Sequence, residues 1–156
     1  GFHGLLSGFA MLALMAFAIV AHDANDLTLT TYLVITISGL AGVFVFNFPF
    51  GKIFLGDGGA YLIGFLLALF SILLVNSTPE VSPWYPLTIL IYPIFETLFS
   101  IYRKSILQKK SAMQPDRLHL HMLIYRSLLP KLGIKSDEKK NPLTSVVIFC
   151  FCLPNK

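Results

Sequence analysis

Four long apolar runs, separated by short polar stretches, decide what this chain can become: Leu5 to Ala21, Leu27 to Phe46, Ala60 to Val75 and Trp84 to Tyr102. About 20 residues rising 1.5 Å each cross a hydrocarbon core of about 30 Å. The predicted fold is therefore all-α, a polytopic transmembrane helix bundle of about four spans. A fifth run, Val146 to Leu153, is too short to span and is truncated by the end of the chain. Only 13% of residues are charged, against about a quarter in a soluble domain, which excludes an ordinary water-soluble globule. The first run is not a secretory signal, because no basic segment precedes it and further spans follow. The chain starts at Gly1, enters an apolar helix within a few residues and stops inside another apolar run. We therefore expect residues 1–156 to be the C-terminal part of a single, larger integral-membrane domain.

Charge orients the spans. Ten of the twelve Lys and Arg residues lie between Arg103 and Lys140, and the others are Lys52 and Lys156. The stretches His22–Asp26 and Asn76–Pro83 carry none. By the positive-inside rule the Lys52 loop and the basic loop 103–140 are expected to be cytoplasmic, and the other two loops to face outward. Trp84, Tyr85 and Tyr102 fall where an interfacial aromatic belt is expected. The lipid bilayer is thus the first partner, with anionic headgroups drawn to the basic loop. Nucleic acid is not expected, since no stacking aromatics are interleaved with the basic residues. Cys150 and Cys152, alone in the apolar tail, imply neither a disulfide framework nor a zinc site.

Chemistry-bearing residues cluster in the two cytoplasmic loops. Asp57 sits in Phe54-Leu55-Gly56-Asp57-Gly58-Gly59, directly before the third span. Glycines let the backbone approach a ligand, and the free N–H groups of the coming helix favour phosphate. Asp57 serves either as the N-cap of that helix or as a ligand to Mg²⁺, which uses one or two carboxylates plus substrate phosphates. Lys52 either contacts a phosphate or marks the cytoplasmic side. His119 and His121, in Pro115-Asp116-Arg117-Leu118-His119-Leu120-His121, share a face if the segment is extended. Pro115 biases its entry that way, and a helix is expected from about Leu123 to Leu129. The pair is either a binding site for a nucleotide or diphosphate or two interfacial histidines without a partner. The following stretch, with Leu123, Ile124, Leu128 and Leu129 at helical spacing, is expected to rest on the bilayer surface. Glu96 lies inside the fourth span, roughly 9 Å from Tyr102 along a helix, with Arg103 near the same face and Pro93 expected to bend the helix just before it. A structural ion pair or polar contact is expected of it rather than direct catalysis.

Taken together, these motifs resemble the bacterial polyprenyl-phosphate N-acetylhexosamine-1-phosphate transferases, the glycosyltransferase family 4 enzymes. Asn47-Phe48-Pro49 followed by Leu55-Gly56-Asp57-Gly58-Gly59 is similar to the family's Asn-x-Pro…Met-Gly-Asp-x-Gly loop, and Tyr61-Leu62-Ile63-Gly64-Phe65 continues it. Pro115 to His121 resembles the family's histidine loop in the branch that uses UDP-N-acetylglucosamine or related sugars. Gly1-Phe2-His3-Gly4-Leu5 looks like the tail of an Asp-Gly-x-x-Gly-Leu loop. Three positions depart from the pattern: Met122 stands where many relatives carry a histidine, His3 where Asp or Asn is common, and Ala60 where Ser is common. The family's Asp-Asp-rich and Asn…Asp loops would lie before Gly1, so the segment alone is not expected to catalyse.

The resemblance implies a phosphoglycosyltransferase of the bacterial cytoplasmic membrane. It would move N-acetylhexosamine-1-phosphate from a UDP-sugar to polyprenyl (undecaprenyl) phosphate and release UMP, starting a cell-envelope polysaccharide such as an O-antigen. It also implies Mg²⁺, with Mn²⁺ as an alternative, held by Asp57 as metal ligand and catalytic residue. Lys52, Arg117, His119 and His121 become substrate-binding residues, and a homodimer is left open. The competing reading is a non-catalytic membrane scaffold derived from such an enzyme. A small transporter fits less well, because the polar motifs lie in loops rather than at mid-membrane.

Overall fold

A computed structural model of the chain describes residues 2–107, 119–134 and 136–152. Three of its helices are long and apolar enough to cross a membrane: α1 (Leu5–Asp23), α2 (Leu27–Asn47) and α3 (Gly56–Ser77). Shorter helices follow: α4 (Trp84–Ile89), α5 (Ile91–Tyr102), α6 (Leu120–Leu123), α7 (Leu129–Lys131) and α8 (Asp137–Cys152). There is no strand among the described residues, and the fold is an all-α membrane bundle.

Local chemistry sets the helix ends. Asp26 caps α2, its carboxylate accepting from the Leu29 N–H at 2.9 Å, which satisfies one of the free donors of a first turn. Asn25 before it takes a left-handed conformation, φ 59°, which Asn tolerates better than most residues. α2 and α3 both stop one residue before an X-Pro pair. Phe48 and Thr78 are extended, as residues preceding proline prefer.

The most buried element is α1, which packs on α2, α3, α4 and α8. Its inward face is Ala10, Ala13, Leu14, Phe17 and Ala21, the spacing of one helical stripe. Leu29, Leu33 and Leu40 of α2 and Ile63, Leu67, Phe70 and Leu74 of α3 close the core around it. Small alanines let the helices approach closely, which matters where lipid is as apolar as the core itself. Large side chains on the outer faces, such as Ile35, Val45, Tyr61, Phe65 and Ile72, are exposed, as lipid contact requires. Hydroxyls on the exposed side of α2 are satisfied within the helix: Thr31, Thr36 and Ser38 donate to carbonyls one turn back at 2.7–2.8 Å. No donor proton on them is left to face hydrocarbon.

The fourth apolar run is not one helix. It breaks at Leu90, φ −90°, ψ 10°, between α4 and α5. Pro93 explains the break: it has no N–H to offer the Ile89 carbonyl, and its ring crowds that same carbonyl. Beyond Tyr102, α5 runs on as a π-helical turn, Arg103–Leu107. Tyr85 has a packing role as well. Its hydroxyl donates to the Ala16 carbonyl at 3.1 Å and its ring packs beside Phe17, so it ties α4 to α1. The expected helix over 123–129 starts earlier, at Leu120, and passes through a π-helical turn, Ile124–Leu128. In α8 the fifth run is extended backwards by the polar residues from Asp137.

If Pro93 causes the break, Pro93→Ala restores the missing donor and straightens the segment. Spin labels at Trp84 and Ile101, both exposed, should then move apart toward the roughly 26 Å of a continuous helix. An unchanged label distance would place the cause elsewhere.

Candidate active site

Asn47, Asp57, Glu96, His119 and His121 meet at one end of the bundle. The last residues of the loop 48–55, the starts of α1 and α3, the first half of α5 and the segment from His119 surround a cleft of about 620 Å³. At the opposite end, the α1–α2 turn reaches the end of α3, where Asp26 accepts a hydrogen bond from Ser77.

Asn47, the last residue of α2, builds the floor. It is buried, and its side-chain amide works in both directions: the oxygen accepts from the Gly4 N–H and the nitrogen donates to the Ile53 carbonyl. The loop therefore folds back on α2, helped by Gly51 N–H to Asn47 O at 2.7 Å and Lys52 N–H to Phe46 O at 3.1 Å. His3 lies across this turn and donates from Nδ1 to the Pro49 carbonyl at 2.5 Å. Gly51 has φ 62° and sits against the His3 ring. A Cβ there would be strained by the backbone and would collide with the imidazole. The His3 backbone is bound in turn by α8, through Asn141 Oδ1 at 2.8 Å and the Ser145 hydroxyl at 2.7 Å.

This frame presents Asp57 in the first turn of α3. Asp57 is not the N-cap: no side chain caps α3, and the residue before its first turn is Leu55. The Asp57 carboxylate is exposed on the cleft wall and has no hydrogen bond or ion pair to another described residue. Gly56 takes φ 65° and has open space beside it, so the backbone is bare where the helix begins. A carboxylate without a partner among the described residues, beside the N–H groups of a helix start, suits Mg²⁺ with a phosphate. Among the described residues no three His, Cys, Asp or Glu side chains converge as a closed cage, so the donor set fits a metal that takes most ligands from substrate and water.

The histidines occupy the facing wall. His119 is extended, φ −79°, ψ 156°, and α6 begins at the next residue. The two imidazoles stack, centroids 5.2 Å apart and 12° from parallel. They share a face as expected, although His121 already belongs to the helix. Glu96 of α5 accepts from His119 Nδ1 at 2.8 Å and from the Leu120 N–H at 2.7 Å. His121 Nδ1 lies 3.4 Å from the Tyr92 hydroxyl, and Phe2 meets its ring edge-on. Burial holds the His121 imidazole below its ordinary value of 6.5; the Glu96 carboxylate pulls it up, and His119 pushes it further down.

Of the sequence-predicted residues, Asp57, His119 and His121 share the cleft. Lys52 is exposed and does not line it, lying instead 6.0 Å from the Phe50 ring centroid. Arg117 and Asp116 lie outside the described residues. No Lys or Arg lines the cleft among the described residues. Sequence reasoning foresaw a polar contact for Glu96 but not that it would go to His119. It did not single out Asn47 or Tyr92 by their own chemistry. A second, apolar groove of about 720 Å³ runs between α3 and the α4–α5 segment, and Leu6, Phe9 and Pro93 line both spaces.

Comparison with known proteins gives the family of the chain. Residues 1–75 match the profile of glycosyl transferase family 4, and the chain belongs to that family. It is 33% identical over 122 residues to a probable undecaprenyl-phosphate N-acetylglucosaminyl 1-phosphate transferase of Bacillus subtilis, covering 78% of this chain and 34% of the relative. It is 33% identical over 146 residues to an undecaprenyl-phosphate alpha-N-acetylglucosaminyl 1-phosphate transferase of Pasteurella multocida, covering 88% and 39%. It is 32% identical over 127 residues to a phospho-N-acetylmuramoyl-pentapeptide-transferase of Lactobacillus gasseri, covering 79% and 38%. The chain thus spans little more than a third of the length of these relatives. No solved structure matches it.

Two outcomes follow from the site's construction. Asn47→Ala leaves the buried Gly4 N–H unpaired, costing about 1–3 kcal/mol, and takes the donor from the part-buried Ile53 carbonyl, so thermal unfolding in detergent should shift clearly downward. A wild-type melting curve would show that the amide braces nothing. For His121 the depressed value means that the fold favours the neutral ring and the unfolded chain takes the proton more readily. The stabilisation is complete above about pH 6.5 and is lost as pH falls toward the lower folded value. Melting curves from about pH 7.5 to about pH 5 should show this decline, and His121→Gln should flatten it.

Proposed function

We propose that this chain forms the nucleotide-sugar face of a membrane phosphoglycosyltransferase. In the proposed reaction an oxygen of polyprenyl phosphate attacks the β-phosphorus of a UDP-N-acetylhexosamine. The bond from that phosphorus to the bridging oxygen breaks, and UMP departs with the electron pair. The observation that carries this reading is the cleft in which Asp57, His119 and His121 converge beside an apolar groove with which it shares a wall.

Each part has a physical task. The groove is walled by apolar side chains of α3, α4 and α5 and opens toward lipid, which suits the isoprenoid tail. Its shared wall would bring the tail's phosphate to the polar cleft. His119 and His121 offer ring nitrogens to the sugar or its diphosphate, and Arg117 is proposed to add a forked donor to the same ligand. Lys52, outside the cleft, supports the cytoplasmic orientation more directly than it supports substrate contact. Asp57 would hold Mg²⁺, which when bound neutralises diphosphate charge and stabilises charge developing in the transition state. The acid-lined cleft favours such a cation, because two anionic substrates cannot approach Asp57 and Glu96 without one. In this reading the cleft faces the cytoplasm of a bacterial inner membrane, where UDP-sugars are made.

The test uses the full-length protein in membranes, with radiolabelled UDP-N-acetylglucosamine and undecaprenyl phosphate. A lipid-linked sugar product and UMP are expected; neither appearing, with this or other UDP-N-acetylhexosamines, would overturn the proposal. Asp57→Asn, which leaves the helix start intact, should lower turnover on the order of 100-fold. His119→Ala and His121→Ala should each lower kcat/KM for the UDP-sugar about 10-fold or more, with less effect on the lipid substrate.

A further inference from the structure

We infer that Glu96 is a positioning residue: it keeps the His119 proton on Nδ1 and thereby turns Nε2 toward the ligand in the cleft. The inference rests on the cleft being the sugar-phosphate site proposed above.

Glu96 lies on α5 shortly after the Pro93 break, with its side chain only 16% exposed. A carboxylate withdrawn from water is costly unless both oxygens are engaged. Here each takes one N–H, Oε2 from His119 Nδ1 at 2.8 Å and Oε1 from the Leu120 backbone at 2.7 Å. An ionised carboxylate only accepts, so the proton in the shared hydrogen bond belongs to Nδ1 in the neutral and the charged ring alike. Nε2 is then the nitrogen left for the cleft, an acceptor when the ring is neutral and a donor when it is charged.

The second bond makes this a clamp rather than a single tether. Leu120 opens α6, and its N–H is one of the donors that a helix start leaves free. One carboxylate thus fixes both the imidazole and the helix that carries His121. The extended backbone of His119 makes this geometry accessible by sending its ring and the following N–H to the same acceptor. Tyr92 stands one turn before Glu96 on α5 and meets His121. The stacked imidazoles are therefore both referenced to one face of α5.

Glutamine is isosteric but carries one acceptor and one donor. Glu96→Gln must either abandon the Leu120 N–H or oblige His119 to accept at Nδ1 and move its proton to Nε2. The experiment uses full-length protein in lipid nanodiscs labelled with ¹⁵N-histidine, the His119 signals being those lost in His119→Gln. The wild type should show Nδ1–H, and Glu96→Gln should show a substantial Nε2–H population. In parallel, Glu96→Gln should raise KM for UDP-N-acetylglucosamine about 10-fold and leave KM for polyprenyl phosphate unchanged. Placed on a His119→Ala background it should add less than about 2-fold, since the two act through one interaction. Glu96→Asp, which keeps both acceptors, should retain Nδ1–H; it decides the matter if the glutamine variant does not fold. Loss of Nδ1–H in Glu96→Asp, an equal loss in both backgrounds, or an unaltered His119 tautomer in Glu96→Gln together with an unaltered KM for UDP-N-acetylglucosamine would overturn the inference. If the wild type transfers no sugar phosphate, the functional reading fails while the spectra still decide the clamp.

Discussion

The side-chain amide of Asn47 holds together two stretches of backbone that have no helix to satisfy them. At the end of a bundle whose walls are lipid-facing, an unpaired N–H or C=O is expensive, and neither Gly4 nor the loop at Ile53 can pair within its own segment. Asn is suited to the task because one planar group offers both an acceptor and donors. Once it is engaged, the loop must fold back over α2, and α3 must start where that loop ends. The position of Asp57 is a consequence of that amide as much as of the glycines around it. α8 contributes from the other side by binding the His3 backbone, so the chain's two ends are tied to the same corner.

The opposite wall follows the same logic with a charge instead of an amide. Glu96 is admitted to an apolar helix because two N–H donors meet it, and the Pro93 break starts α5 afresh just before it. The site is thus formed by polar residues whose partners come from distant parts of the chain.

Much of the bundle was legible from run length. Leu5–Ala21 and Leu27–Phe46 were expected, and α1 and α2 differ from them only at the trailing edge. Ala60–Val75 grew into Gly56–Ser77 because Gly56, Gly58 and Gly59, poor helix formers on their own, were drawn into the first turn by the helix that follows. That removes capping from the two readings of Asp57, whose carboxylate has no hydrogen bond or ion pair to another described residue. Run length was blind to the division at Leu90, since the apolar count continues through Pro86 and Pro93. The site was legible as a set of motifs on one side of the membrane, but not as contacts. Arg103 looked like the natural partner of Glu96 because it lies on the same helix face, whereas the partner observed, His119, is brought in by the return of the loop. Nothing in local pattern can report a pairing across such a separation. Asn47 entered only as part of a family motif, because a single Asn at a helix end reads equally well as a stop signal.

The turn Ala24–Asp26 also bears on how such a chain is built into a membrane. With Asp26 capping α2 and Asn25 supplying the left-handed corner, α1 and α2 form a helical hairpin closed by local interactions alone. A hairpin of this kind can enter the bilayer as a pair, its backbone already hydrogen-bonded before any contact with α3 exists. Its tip carries no Lys or Arg. The alanine face of α1 packs against α3, and the corner that holds Asp57 needs that third helix, because Asp57 lies in its first turn. The hairpin is closed at one end of the bundle and the cleft is built at the other.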